Sequence, residues 1–154
     1  MPEKTGTFVV IAADEESAVL RSVSDSQVHT LDENPGLSAD TILEATIASK
    51  PPMDVVWTVE SIETTRTIDV AVVDEGPTEA SRTVAADLDE GSVRVHHGIE
   101  DGEVHVLKVP ANGIEETVSS VRADLETVVR AARLGAGRVE IRKGAGIVAV
   151  RYLD

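Results

Sequence analysis

The stretch VRVHHGIEDGEVHVL, residues 93–107, decides how the C-terminal half of this chain is read. Asp101-Gly102 is a type I′ turn signal, because both central positions of that turn need positive φ, and it lies between two runs that alternate apolar and polar residues. A two-residue turn there sets Glu100 opposite Glu103, Ile99 opposite Val104 and His97 opposite Val106. Side chains alternate across a strand, so Val93, Val95, His97, Ile99, Val104 and Val106 share one face, and Arg94, His96, Gly98, Glu100, Glu103 and His105 share the other. The stretch holds three of the chain's four histidines, yet adjacent His96 and His97 point to opposite sides, so this register builds no three-histidine site. The remaining metal alternative is His96 with His105, a diagonal pair with Cβ atoms ~7 Å apart, flanked by Glu100 and Glu103. Imidazole nitrogen and carboxylate oxygen both suit zinc or a harder ion. His97 is expected as a hydrogen-bonded core histidine. A three-residue turn would instead set His97 opposite His105.

On either side of this hairpin the period changes from two to 3.6. Upstream, TEASRTVAADL forms a short helix that buries Ala80, Val84 and Leu88. Downstream, Asn112 precedes Glu115 by three residues, as in a capping box, and Glu115 and Glu116 complement the positive end of a helix. Ile114, Val118, Val121, Leu125, Val128 and Ala132 then recur at spacings of four and three, one apolar stripe. Asp124 can cap a second helix, so the stripe reads as one long helix or two short ones. Gly135 and Gly137 follow as C-cap residues. RVEIR, a turn at KGAG and IVAVRYL close the chain with a second hairpin, whose Val139, Ile141, Val148, Val150 and Tyr152 form the core face.

The N-terminal half is punctuated differently. GTFVVIA, AVLRSV, QVHTL, DTILEATIA and VVWTV read as short strands, with turns at ADEES and ENPG, and the chain continues extended through TIDVAVV. Five or six strands in about 70 residues predict a small antiparallel β-barrel of OB or SH3-like type. Gly76-Pro77 marks the break. The expected class is therefore α+β, with a small β-barrel domain over residues 1–74 and an α+β domain, two hairpins and one or two helices, over residues 77–154.

At 154 residues the chain buries roughly 70% of its unfolded surface, enough for a real core. The core is aliphatic, since Phe8, Trp57 and Tyr152 are the only aromatics. Asp and Glu number 28 against 14 Lys and Arg, a net charge of −14. That self-repulsion is screened when the Debye length shrinks to ~3 Å near 1 M salt, the condition of an extreme halophile's cytosol. There is no cysteine, which excludes disulfides, thiolate catalysis and Cys-ligated metals. The N-terminal residues lack a signal-peptide pattern, and no stretch is apolar for ~18 residues. The expectation is a soluble, cytoplasmic protein.

KTGTFVV, ADEESAVLR and VHTLDENPGL near the start, with ARLGAGRVEIR and VAVRYL near the end, resemble a small uncharacterised haloarchaeal family, a domain of unknown function. The resemblance spans nearly the whole chain and strengthens the halophile reading. It implies no activity, cofactor or site residue.

No G-x-S-x-G, P-loop, HExxH or other catalytic spacing is present, and neither GAG follows a strand and opens a helix as a phosphate cradle does. The expectation is a non-enzyme without cofactor. One asymmetry stands out. From Arg122 to the C-terminus there are seven basic residues (Arg122, Arg130, Arg133, Arg138, Arg142, Lys143, Arg151) and four acids, a local +3 in a chain whose remainder carries −17. Alternation sets Arg138, Arg142 and Arg151 together on the outer face of the last hairpin, with Glu140. Guanidinium groups there can take phosphate bidentately or pair with the protein's own carboxylates. The leading expectation is thus a binding module, nucleic-acid-associated through this hairpin, with Arg130, Arg133 and Lys143 nearby. Three aromatics are few for base stacking. The alternative is a protein-interaction or adaptor domain that uses an open sheet edge or the strip of Ile147 and Ala149.

Overall fold

The computed structural model describes residues 3–51, 55–97 and 103–153. It is mixed α+β, and the chain divides into two compact units: residues up to Ile68 with Val128–Arg133, and Asp69–Thr127 with Leu134 onwards.

In the first unit Glu3–Ala13 (β1), Ala18–Ser22 (β2), Val28–Leu31 (β3), Thr41–Ser49 (β4) and Trp57–Thr67 (β5) join in the order β1-β2-β3-β5-β4, with β4 returning to β1. The five strands thus form a ring. It is not antiparallel throughout, as the sequence predicted: β3 meets β5 in parallel, at Leu31 and Trp57. Alternation explains the interior. Ala18, Leu20 and Leu31 point inward with Phe8, Val10, Leu43, Ala45 and Ile47, and the residues between them face out. The predicted turns are built by side chains that mimic backbone. Asp14 Oδ1 accepts from the amides of Glu16 and Ser17, and Asn34 Oδ1 accepts from Gly36 and Leu37. Gly36, at φ +107°, occupies a position where a side chain would be strained.

The second unit is a five-stranded sheet in the order β6-β9-β10-β8-β7, made from Asp69–Val72 (β6), Val93–His97 (β7), Glu103–Lys108 (β8), Arg138–Gly144 (β9) and Ile147–Leu153 (β10). β6, expected to continue the N-terminal strands, lies here instead, parallel to β9. The change of sheet falls between Ile68 and Asp69. Both faces of this sheet are covered. Helix Glu79–Ala86 (α1) and Leu88 after it pack Ala85 and Leu88 on Val104, Val106, Ile147 and Ala149. Helix Ile114–Ala123 (α2) lies against β6, β9 and β10 from the other side, where its Glu115 pairs with Lys143. Consequently Ile147 and Ala149, 6% and 0% exposed, are core and offer no contact strip. Within α1 the buried positions are Ser81 and Ala85, and Ala80 is exposed.

The stripe from Ile114 onward is two helices. Asp124 leaves the helical region at ψ 120°, and its Oδ1 accepts from Glu126 N to open Leu125–Leu134 (α3). The expected capping box is absent: a 3₁₀ turn, Ala111–Gly113, leads into α2, whose N-cap Gly113 has no side chain to give. Gly135 ends α3 at φ +71°, as a C-cap glycine does.

Candidate functional site

Three groups of residues singled out by the sequence can now be placed. The first is the arginine set. Glu140 is the centre of it, only 8% exposed, on the sheet face that α1 covers. Arg142 Nε donates to Glu140 Oε1 at 2.7 Å, Arg151 Nη1 donates to the same oxygen at 2.5 Å, and Arg138 Nη2 lies 3.9 Å from Oε2. Arg142 also meets Glu75 Oε2 at 3.1 Å and the carbonyl of Gly76. Register explains the convergence, because Arg142, Glu140 and Arg138 alternate along β9 while Arg151 sits opposite Glu140 on β10. Burial by itself would raise the Glu140 carboxyl, but the Arg142 hydrogen bond and the charges of Arg151, Arg142 and Arg138 outweigh it and hold the group below its ordinary range.

The six basic residues expected to act together fall on two faces of the sheet and in two units of the chain. Arg138, Arg142 and Arg151 share one face of the sheet. Lys143 lies on the other, 2.5 Å from Glu115. Arg130 and Arg133 belong to the ring unit, where Arg133 Nη2 donates to the carbonyl of Val23.

The second group is the histidines. β7 pairs with β8 so that Val95 faces His105, His96 faces Val104 and His97 faces Glu103. This register is three places from the expected one, and Asp101-Gly102, which set that expectation, lies outside the described residues together with Gly98, Ile99 and Glu100. An odd shift exchanges the faces. His96 therefore turns inward with Val104 and Val106, and its Nε2 lies 3.3 Å from Ser81 Oγ of α1, while His97 is exposed. His105 is on the opposite face from His96. Its Nε2 is 2.7 Å from Glu103 Oε1, and its ring meets Tyr152 edge-on at 5.2 Å. No single ion can bridge His96 and His105, and among the described residues no group of three or more His, Asp or Glu is placed to hold a metal.

The third is an open edge of the sheet, the kind of contact expected for an interaction domain. β7 ends the sheet, and among the described residues it pairs on one side only, with β8. Val93 and Val95 are 56% and 45% exposed, on the same face as His97. Nothing in the apolar alternation distinguished these valines from core residues.

A ring of five strands followed by a five-stranded sheet with helices on both faces defines a small two-unit α+β protein. The chain matches a family of unknown function, DUF5812, over residues 4–143, and it belongs to that family. No curated protein and no solved structure matches it.

Proposed function

We propose that this chain is a salt-adapted, non-catalytic protein-interaction module that takes an extended segment of a partner along β7. The observation that carries the reading is the unguarded edge. Edge strands are normally blunted by lysine, proline or inward charge, whereas β7 presents Val93 and Val95 to solvent on one face, and its one charge, Arg94, is on the opposite face and is itself exposed. A strand added there would satisfy open backbone groups and cover both valines. The partner segment that fits has apolar or β-branched residues at alternate positions and an acid to meet Arg94. Molar salt, the condition suited to a net charge of −14 and to a cytoplasmic, haloarchaeal setting, screens charge but leaves apolar burial intact.

The nucleic-acid reading is less favoured. Were the ring of the OB type, its β2–β3 face and first loop would be the usual nucleic-acid seat. Here that loop is Asp14-Glu15-Glu16, and the outward residues are Val19, Arg21, Val28 and Thr30. Phe8 is wholly buried, Trp57 packs on the ring core and Tyr152 is 2% exposed, so stacking platforms are lacking. The hairpin arginines are engaged with Glu140. Arg138, 60% exposed in its side chain, is the one of the three open to phosphate.

Affinity capture from native high-salt lysate, treated with nuclease, compares the wild type with Val95→Lys. A protein retained by the wild type and lost by the variant supports the reading. Capture that disappears with nuclease and ignores Val95→Lys overturns it in favour of nucleic acid.

A further inference from the structure

Beside α1 a cavity of about 210 Å³ is lined by Arg82, Ala85, Ala86, Lys108, Ala145 and Ile147. Its lining is the inverse of the chain's composition. Acids outnumber Lys and Arg two to one, 28 to 14, yet the cavity carries two cations and no carboxylate. Among the described residues Lys4, Lys50 and Lys143 pair with Asp25, Asp32 and Glu115, whereas Lys108 has no side-chain partner. Lys108 sits opposite Ile147 in the β8–β10 register, on the sheet face that α1 covers, and lines the cavity beside it. Arg82 is steadied from behind, its Nε donating to the carbonyl of Pro77 at 3.2 Å.

The remaining wall is small and apolar. Ala145 holds a left-handed φ of +52° in the turn between β9 and β10, a position where Asn or Gly is the local preference and where alanine costs roughly 1–2 kcal/mol. Of the non-glycine residues with positive φ, Ser26, Asp40 and Ala145, only Ala145 lines the cavity, and strain kept at such a place is a pointer to use.

We propose that this cavity binds a small oxyanion, a carboxylate or a phosphate monoester, carrying a short aliphatic group. Arg82 and Lys108 take the charged head, and Ala85, Ala86, Ala145 and Ile147 cover the alkyl part. The volume is below the ~300–1,000 Å³ of ordinary ligand pockets, which suits a small anion. The site is independent of β7.

The test is a titration of the full chain, followed by amide NMR in the lowest salt that keeps it folded. The probes are butyrate, butyl phosphate, inorganic phosphate and butanol. Butyrate or butyl phosphate should give saturable shifts centred on Ala85, Ala86, Ala145 and Ile147, and the tighter of the two identifies the head group. Inorganic phosphate should bind at least threefold more weakly than butyl phosphate or butyrate, whichever is tighter, and butanol should give no localised shift. Lys108→Gln and Arg82→Gln should each weaken binding about tenfold, with Lys108→Arg restoring most of it. No saturable shift with either organic anion, equal shifts with butanol, or undiminished binding by both Gln variants would overturn the assignment.

Discussion

Arg142 and Arg151 both donate to one oxygen of Glu140, at 2.7 and 2.5 Å, on the face of the sheet that α1 covers. The relationship makes this carboxylate the structural counter-ion of the last hairpin. Removing one partner of a buried ion pair leaves the others uncompensated and costs about 3–5 kcal/mol. Glu140→Gln should therefore destabilise the fold by about 3 kcal/mol, read as a fall in Tm of roughly 6–12 °C for a chain of this length. A loss below about 1 kcal/mol would show that the arginines find other partners.

The same carboxylate sets an acid limb. Its pKa is lower in the folded state than in the unfolded chain, so the unfolded state binds the proton more readily as the medium acidifies. Its contribution is complete above the ordinary value of 4.5 and is lost as pH falls from there through the lowered folded value. Denaturant midpoints measured from pH 6 downward should fall more steeply below that value in the wild type than in Glu140→Gln.

A second titration comes from inside the ring. His29 is 5% exposed, its Nε2 has no hydrogen-bond partner, and its ring meets Trp57 at 4.6 Å and Phe8 at 6.1 Å. Burial, with the charge of Lys4 adding to it, pushes its pKa down from 6.5 against the pull of Asp25. A histidine depressed in the folded state contributes fully above its unfolded value and loses that contribution as pH falls from 6.5 through the folded value. His29→Leu should lessen the decline in stability that begins as pH falls below 6.5. A variant that declines in parallel with the wild type would place the titration elsewhere.

Part of this fold follows from local sequence and part from contacts distant along the chain. The strand-rich half, the turns at Asp14 and Asn34 and the helix end at Gly135 were legible, and the helix break at Asp124 was one of two readings, because each rests on local chemistry: a side-chain acceptor, a positive φ, a capping carboxylate. The gathering of Arg138, Arg142 and Arg151 around Glu140 followed from alternation alone. The β7–β8 register did not, since it depended on one turn assignment, and a shift of three residues exchanged His96 for His97. Ser81, which receives His96, is distant in sequence. The near-continuous apolar run of IVAVRYL did carry a signal for a strand covered on both faces, and it accounts for the burial of Ile147 and Ala149. Arg82 and Lys108, brought together by α1 packing on β8, have no sequence signature.

Salt should govern folding itself. With a net charge of −14, circular dichroism should show loss of structure as salt falls below a few hundred millimolar, and recovery on returning to molar KCl. Full folding in dilute buffer would refute the salt-adapted reading.

The central claim, an open edge that takes a partner strand, is tested most directly by hydrogen exchange across Val93–His97 in the free chain and in the complex recovered after nuclease treatment. The account predicts fast exchange of the β7 amides that point away from β8 in the free chain, and at least tenfold protection of those amides in the complex. Unchanged exchange along β7, with new protection confined to β9 and β10, would contradict it.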